Sequence, residues 1–335
     1  MDREGQLVEK IARAVPSVSA RKNFRGVPLG IGDDAAILSP HGRTDWVLSC
    51  DAFLEGVHFL ANAHPPDSVG YKSLARATSD LAAMGATPRY FVLTLALPSS
   101  KVGKWLDAFL AGMGRAARTL KMRLIGGDTT RNSTVSISVT VLGEVPRGRA
   151  LTRSGANPGD LVYVTGRLGR AQLGLDLIRN KLSRRRELQN LLTAHLYPRI
   201  RVKLGEWLAR NRIPSGMMDI SDGLSTDLAR LCSAGGVGAR IDSSRVPRVT
   251  IPAGLSRSLK KLKLNPLQMA LHGGDDYEFL FTVPRSRAQR LRRAPGYSEI
   301  TAIGEITRSR RILLVGDDGT ASPLASGGWE PFSHK

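Results

Sequence analysis

The segment GIGDDAAIL, residues 30–38, places two adjacent carboxylates, Asp33 and Asp34, directly after a Gly-x-Gly turn. The chain carries 49 Lys and Arg residues against 29 Asp and Glu residues, a formal net charge of +20, so this local concentration of acid needs an explanation. The segment also matches G-x-G-x-x-A, a dinucleotide-binding pattern in which loop amides approach a pyrophosphate. Two carboxylates there would repel a phosphate unless a cation intervened. The pair therefore favours a Mg²⁺ site.

Further acidic residues occur mostly at predicted strand ends and glycine-rich turns, where loops converge on a ligand in α/β folds. They are Asp51 in SCDAF, Asp80 in TSDLAAMG, Asp128 in GGD, Asp219 and Asp222 in DISDG, and Asp275 and Asp276 in GGDDY. Each one alone is more simply explained as a turn former or an N-cap. Converging carboxylates raise one another's pKa unless divalent cations neutralise them. Together they predict a magnesium site and nucleotide-dependent phosphoryl transfer.

Lys72, Arg76 and Asp80 fall at i, i+4 and i+8 of a predicted helix and so share one face. Two interpretations stay open: a surface row of salt bridges, or two cations that neutralise phosphate beside a metal ligand. No G-x-x-x-x-G-K-[ST] segment occurs, which excludes a P-loop.

Two sets of strands and helices must position these residues. In the first set, strands are predicted over 46–53, 91–98, 123–128 and 134–145, and helices over 68–86 and 104–120. Strict alternation of Val135, Ile137, Val139 and Val141 indicates an antiparallel component. The Pro-, Gly- and Arg-rich segment 146–160 separates this set from a second one. We expect an α/β protein (α+β with mixed or antiparallel sheets) with domains at residues 1–147 and 148–335.

Composition restricts the class of protein. The 335 residues are 41% hydrophobic and 23% charged, typical of a globular chain. No apolar run approaches the ~20 residues of a membrane helix. The N-terminus is acidic at Asp2 and Glu4 and lacks the basic flank of a signal peptide. We therefore expect no membrane association and a cytoplasmic location. The two cysteines, Cys50 and Cys232, are expected to be buried thiols.

The basic excess could indicate a nucleic-acid partner. The basic runs lie scattered at 184–186, 257–263, 285–293 and 307–311. They lack the interleaved aromatic residues on which bases stack, and only 5% of the chain is aromatic. Solvated helix faces are the favoured interpretation, and nucleic-acid binding remains the weaker alternative.

Eight segments, in order, closely resemble the thiamine-monophosphate kinase family, which belongs to the superfamily of aminoimidazole ribonucleotide synthetase. They are GIGDDAAIL, SCDAFLEGVHF, SLARATSDLAAMGATP, LIGGDTTR, RALTRSGANPGD, MDISDGLSTDLARL, HGGDDYEF and GGWEPF, spanning about Gly30 to Trp329. The resemblance implies a two-domain aminoimidazole ribonucleotide synthetase-like fold and a homodimer paired through the N-terminal sheets. It implies that ATP phosphorylates thiamine monophosphate to thiamine diphosphate with several Mg²⁺ ions. The N-terminal domain would bind ATP and Mg²⁺, and the C-terminal domain would complete the site.

The resemblance also assigns roles to residues. Metal positions are Asp34, Ser49, Cys50, Asp51, Asp80, Asp128, Asp219 and Asp222. Nucleotide positions are Gly127, Asp128, Arg153 and Ser221, substrate positions are His58, Asp275 and Trp329, and catalytic positions are Asp51, Asp128 and Arg153. The family commonly has Glu at the position of Asp275. It commonly has Thr at the position of Cys50, a difference that matters little if the metal ligand at that position is a main-chain oxygen.

The chemistry of the acceptor agrees with this set of residues. A phosphate monoester has a second pKa near ~6 and is already a nucleophilic oxyanion at neutral pH, so no general base is needed. Positioning and charge neutralisation then suffice, without a Ser–His or Cys–His pair. A sister enzyme that uses ATP on another small acceptor is the first alternative, disfavoured because no cysteine-containing, Gly-rich loop precedes GIGDD in the sequence.

Overall fold

The computed structural model describes residues 6, 8–10, 26–40, 42–182, 188–251 and 264–332. The basic runs at 184–186 and 257–263 lie outside the described residues, as does most of the N-terminal segment. None of the helices in the described ranges is long and apolar enough to cross a membrane.

The first sheet has five strands, in the spatial order β1-β2-β5-β3-β4. They are β1 (Ala36–Leu38), β2 (Thr44–Leu54), β3 (Thr87–Leu97), β4 (Arg123–Arg131) and β5 (Ser136–Pro146). Strands β2 and β5 pair antiparallel along their full lengths, whereas β4 runs parallel to β3 at the edge. Two helices, α1 (Pro66–Ala83) and α2 (Lys104–Leu120), pack on each other, and α1 covers the inner face of the sheet.

The alternation predicted for β5 is confirmed. Val135, Ile137, Val139 and Val141 are all buried in the first core. The predicted helix at 104–120 has the observed bounds. The predicted strand at 123–128 instead continues to Arg131 and is exposed along its whole length, because β4 is an edge strand that no helix covers.

The second sheet has seven strands, in the order β12-β11-β8-β10-β6-β9-β7. They are β6 (Leu161–Thr165), β7 (Gly216–Ile220), β8 (Gly238–Asp242), β9 (Glu278–Val283), β10 (Ile300–Thr307), β11 (Ile312–Val315) and β12 (Ala321–Pro323). The helices are α3 (Arg170–Arg179), α4 (Gln189–Leu196), α5 (Val202–Arg210), α6 (Leu224–Gly235), α7 (Pro266–His272) and α8 (Arg285–Ala288). Only the β8–β11 pair is parallel among these described strands.

Helix α1 is shared by the two halves of the molecule. Its N-terminal part lies in the first core, while Ala82 and Ala83 pack with Leu204, Leu208 and Phe279 in a core of the second half. The polar face of α1 therefore lies where the halves meet. Two sheets that each combine parallel and antiparallel strands confirm the predicted fold class. The domain boundary at residue 147 and the dimer stay predictions.

The cysteine prediction is correct in one respect and wrong in another. Both thiols are free, as expected. Cys232 is buried, but Cys50 is exposed, because it lies on the face of β2 that α1 does not cover.

Candidate active site

The polar face of α1 points into the protein. Arg76 Nε lies 3.0 Å from Asp51 Oδ2, and the Ser49 hydroxyl donates to Asp80 Oδ2 at 2.5 Å. The third member of the row, Lys72, is only 2% exposed. The hypothesis of a surface salt-bridge row is therefore wrong, because the partners of α1 come from β2 and from the second half.

Three carboxylates from separate segments form what we call the acid group: Asp34, Asp80 and Asp219. Asp34 lies before β1, Asp80 on α1 and Asp219 in β7. Burial raises the pKa of Asp219 to about 7, and the negative charge of Asp34 acts in the same direction. Burial likewise raises the pKa of Asp80 well above its ordinary value, with contributions from Asp219, Asp51 and Asp34. The segments thus bring like charges into one enclosed space.

Two oxygens of the acid group lack a hydrogen-bond partner within the described part of the chain. They are Oδ2 of Asp34 and Oδ2 of Asp219, both buried. A buried carboxylate oxygen without a donor is energetically unfavourable. These oxygens are therefore suited to bind a cation.

Arg153 joins the second half to the GIGDD segment. Its Nε donates to Asp34 Oδ1 at 2.7 Å, its Nη2 contacts the same oxygen, and its main-chain N–H donates to Asp33 Oδ2 at 3.1 Å. Burial alone would lower the pKa of Arg153, but Asp34 and Asp33 hold it above its ordinary value. Burial, together with the charge of Asp34, raises the pKa of Asp33 to about 7.

The GIGDD segment leads into strand β1 rather than a helix. A dinucleotide-binding fingerprint places the pyrophosphate at a helix N-terminus, which this segment does not provide. The carboxylate-site interpretation is therefore favoured for Asp33 and Asp34.

The turn after β7 holds Asp222 through a residue that sequence reasoning missed. Asp227, buried in the first turn of α6, accepts the N–H groups of Asp222 and Gly223, each at 3.0 Å. Arg230 contacts the carboxylates of both Asp222 and Asp227. An acid in the first turn of a predicted helix is the signal that could have identified it. Ser221, by its main-chain oxygen, accepts the N–H of Asp275 at 2.8 Å.

His58 and Trp329, from opposite halves, lie side by side. Their ring centroids are 6.5 Å apart, and the main-chain N–H of Trp329 donates to the Asp222 main-chain oxygen at 2.9 Å. His58 Nδ1 accepts the Leu54 N–H at 3.0 Å, which leaves the ring proton on Nε2. Burial lowers the pKa of His58 to about 4, so the imidazole is neutral at pH 7. Two predicted substrate residues are thus brought together.

Other predicted residues lie apart from the acid group. Gly127 and Asp128 lie on the exposed strand β4, where the Asp128 carboxylate accepts its neighbour's N–H. The Cys50 thiol faces away from Ser49 and Asp51 and accepts a hydrogen bond from Thr140. A side-chain metal contact by Cys50 is therefore not supported, and a main-chain contact remains the prediction.

No ready-made metal site exists within the described ranges: no three His, Cys, Asp or Glu side chains are arranged to hold an ion. The acid group lies close enough for mutual repulsion, but ligation stays a prediction. A surface cavity of about 310 Å³ beside Arg149, Arg212 and Arg287 contains none of the predicted site residues.

Comparisons with known proteins identify the family. Models of the AIR synthase related protein match residues 32–145 (N-terminal domain) and 157–316 (C-terminal domain). The chain is 39% identical over 317 residues to thiamine-monophosphate kinase of Escherichia coli K12, covering 93% of this chain and 94% of that protein. The chain belongs to the thiamine-monophosphate kinase family.

Solved structures of thiamine-monophosphate kinases agree. "AaThiL complexed with AMPPCP and TMP" is 28% identical with a TM-score of 0.81, covering 98% of this chain and 96% of that one. The thiamine-monophosphate kinase of Stenotrophomonas maltophilia K279a is 34% identical with a TM-score of 0.72, covering 94% and 96%. The resemblance inferred from the sequence is confirmed.

Asp275, where thiamine-monophosphate kinases commonly have Glu, is held from two sides. Lys72 Nζ lies 2.8 Å from its Oδ2, and the Tyr277 hydroxyl donates to its Oδ1 at 2.7 Å. Burial would raise the pKa of Asp275, but the positive charges of Lys72 and Arg76 hold it well below its ordinary value. The carboxylate is therefore ionised, and its side chain remains 30% exposed.

Proposed function

We propose that this chain transfers the γ-phosphoryl group of ATP to thiamine monophosphate, giving ADP and thiamine diphosphate. The observation that carries the proposal is the acid group, which comes from both halves and leaves two buried oxygens without a partner next to Arg153. Family membership supports it, because the related proteins are named thiamine-monophosphate kinases and one related structure is described as a complex with AMPPCP and TMP.

The donor set fits Mg²⁺, which prefers oxygen ligands. The side chains that would hold the ions are those of Asp34, Ser49, Asp51, Asp80, Asp219 and Asp222. Asp128 would join them if a second chain pairs with β4. Cys50 would contribute its main-chain oxygen. Bound Mg²⁺ would neutralise the phosphates and the carboxylates together. The unpartnered oxygens of Asp34 and Asp219 are the observation that favours this assignment.

The reaction needs no protein base. A phosphate oxygen of thiamine monophosphate, ionised at neutral pH, attacks the γ-phosphorus, and the bond to the β-phosphate oxygen of ADP breaks with its electron pair. Arg153 supplies a fixed positive charge where phosphate charge would accumulate, because Asp34 orients its guanidinium. For Asp51 the roles are reversed, and the Arg76 guanidinium holds the Asp51 carboxylate.

The thiamine part would lie near His58, Trp329 and Asp275. Trp329 is 42% exposed, so its indole face is available to a thiazolium cation, a contact worth about 1–2 kcal/mol when desolvated. His58 Nε2–H can donate, because Nδ1 is occupied by Leu54. The ionised Asp275 carboxylate adds an attraction for the cationic thiazolium ring of the substrate.

A homodimer formed through β4 is part of the proposal. Both faces of this edge strand are uncovered, with Leu124 55% and Ile125 60% exposed. Exposed apolar edge strands pair with another chain unless they are protected. Pairing of β4 would bring Gly127 and Asp128 to a subunit interface. A cytoplasmic location is proposed because the reaction consumes ATP.

The test is direct assay of the purified chain. Incubation with Mg-ATP and thiamine monophosphate should give thiamine diphosphate and ADP in equal amounts. An absence of product over a range of Mg²⁺ concentrations would refute the kinase proposal. ADP formed only with another small acceptor would support the sister-enzyme alternative.

Two substitutions test the acids. Asp51→Asn and Asp128→Asn should each abolish turnover and leave the fold, measured by circular dichroism, largely intact. Asp107→Asn, at an exposed acid in the first turn of α2, is the matched control and should retain full activity. Full activity in both site variants would contradict the metal and nucleotide assignments.

A further inference from the structure

Behind Asp275 lies a row of three buried polar side chains that the proposed reaction does not use. Lys72, His195 and His64 are 2%, 1% and 5% exposed, respectively. Lys72 comes from α1, His195 from α4, and His64 from the segment before α1. Lys72 Nζ lies 3.3 Å from His195 Nδ1, and His195 Nε2 lies 3.0 Å from His64 Nε2.

With Lys72 charged, one arrangement of protons satisfies both the Lys72–His195 and the His195–His64 contacts. An ammonium can only donate, so His195 Nδ1 accepts and its ring proton lies on Nε2. That proton is donated to His64 Nε2, so a neutral His64 carries its own proton on Nδ1 and donates it to the Leu60 main-chain oxygen at 3.2 Å. The Leu60 main-chain nitrogen, 3.1 Å from the same Nδ1, is then not bonded to it. Both imidazoles are then neutral. In agreement, burial and the Lys72 charge lower the pKa of His64 to about 4 and that of His195 well below its ordinary value.

The Lys72 charge is thus balanced by Asp275 rather than by the histidines: burial lowers the pKa of Lys72, and the Asp275 carboxylate acts against that shift. An ammonium removed from water costs several kcal/mol unless it is paired and hydrogen-bonded. Arg76 and Tyr277 also face Asp275, the tyrosine as a hydrogen-bond donor. Asp275 itself has a φ of +67°, a left-handed conformation that non-glycine residues seldom adopt. The surroundings therefore fix both the backbone and the carboxylate of Asp275.

We propose that Lys72, oriented by His195 and His64, is a positioning residue that keeps the Asp275 carboxylate ionised and directed to the thiamine part of the substrate. This inference rests on the proposed function, because it assigns Asp275 to substrate binding. The Lys72 ammonium fixes Oδ2 and Tyr277 fixes Oδ1, while the exposed part of the carboxylate stays open to a cationic ligand. The row would thereby set the affinity for the acceptor and not the affinity for ATP.

Steady-state kinetics of Lys72→Met tests the proposal. The KM for thiamine monophosphate should rise about tenfold or more, equivalent to about 1.4 kcal/mol, while the KM for ATP stays within about twofold. Without Lys72, burial favours the protonated form of Asp275. The KM for thiamine monophosphate should therefore rise more steeply towards acid pH in the variant than in the unaltered chain, where only protonation of the substrate phosphate contributes. Equal rises in both KM values, with the pH dependence of the unaltered chain, would overturn the proposal.

A double-mutant cycle separates positioning from a general loss of structure. In an Asp275→Asn background, Lys72→Met should have little further effect on the KM for thiamine monophosphate. A full, additive effect there would contradict an action through Asp275.

The histidine gives a test if Lys72→Met fails to fold. His195→Gln can still accept from Lys72 and donate to His64, whereas His195→Leu can do neither. The KM for thiamine monophosphate should stay near the unaltered value in His195→Gln and rise in His195→Leu. Identical kinetics in the two variants would refute the role of His195.

A spectroscopic measurement is independent of activity. Nitrogen-15 NMR of ring-labelled histidines at pH 7 should show His195 protonated on Nε2 and His64 on Nδ1, both neutral. Other tautomers, or a charged ring, would overturn the inference even in an active enzyme. Expected tautomers in a chain without kinase activity would refute the proposed function, and with it the substrate-positioning role, while retaining the proton arrangement.

Discussion

At the scale of single residues, buried carboxylate oxygens without a hydrogen-bond donor mark the site. Asp34 and Asp219 each have a buried carboxylate oxygen without a donor in the described structure. Elsewhere buried acids are satisfied: Asp227, for example, accepts the N–H groups of Asp222 and Gly223 at the start of α6. The contrast separates acids with a structural role from acids that are suited to a cation.

Asp219→Asn should change the pH dependence of stability in the metal-free protein. The pKa of Asp219 in the folded state is raised to about 7. The protonated Asp219 side chain therefore contributes to the free energy of unfolding; this contribution is fully present below the pKa of Asp219 in the unfolded chain and is lost as the pH rises through about 7. A tenfold difference in proton affinity between the folded and unfolded states corresponds to about 1.4 kcal/mol. Thermal unfolding in EDTA should show a smaller loss of stability between acid and neutral pH for the variant than for the unaltered chain.

The control is again Asp107→Asn, which should unfold with the pH dependence of the unaltered chain. Added Mg²⁺ should raise the midpoint of the unaltered chain at pH 8 more than that of Asp219→Asn. Coincident pH profiles for Asp219→Asn and the unaltered chain would show that the charge of Asp219 does not oppose folding.

At the scale of elements, α1 and β4 have opposite roles. Helix α1 is buried between the halves and directs Lys72, Arg76 and Asp80 to partners on other segments. Strand β4 is exposed and depends on β3 for its position. A Cβ at Gly127 would lie 2.0 Å from the Leu93 main-chain oxygen, so the parallel pair requires glycine there.

Gly127→Ala should lower stability by about 1–3 kcal/mol, because the strands must separate to relieve the clash. Gly126→Ala in the same strand is the matched control, since its Cβ would lie 3.8 Å from Val92 Cγ1, an ordinary contact. Chemical denaturation of both variants measures the difference. Equal free energies of unfolding would mean that β3–β4 pairing is not constrained at Gly127.

At the scale of the whole molecule, each half supplies part of the site. The Arg153–Asp34 pair spans 119 residues of sequence, and the Lys72–Asp275 pair spans 203. Both link the first half to the second. The basic residues at 285–293 are used differently: Arg285 pairs with Glu305, and Arg287 and Arg290 donate to main-chain oxygens. These three arginines are therefore held by contacts within the chain, and the interpretation of the basic runs as solvated helix faces stays a prediction.

Replacing Leu124 and Ile125 together by Lys should convert a dimer into a monomer, because charged side chains would replace the apolar surface of β4. Light scattering coupled to size-exclusion chromatography should give the mass of two chains for the unaltered protein and of one for the variant. Val102→Lys, at an apolar residue that is 62% exposed outside the sheet, should remain dimeric. A monomeric unaltered protein would refute the dimer.

Local sequence determined the elements and the family. Helix α2 and the alternation in β5 follow from periodicities set by neighbours a few residues apart, so their bounds or faces were predictable. Strand β8 and helices α4 and α7 were not predicted. Ordered motifs from GIGDD to the terminal GGW identified the thiamine-monophosphate kinase family and the residues to inspect.

Tertiary structure alone decided which of those residues meet. Helical spacing put Lys72, Arg76 and Asp80 on one face but could not distinguish a surface row from a buried one. Nor could it pair Lys72 with His195, since contacts between distant segments depend on how strands and helices pack rather than on local periodicity. The exposure of Asp128 on β4 has the same origin: its surroundings are set by sheet order, which the sequence of one strand does not encode.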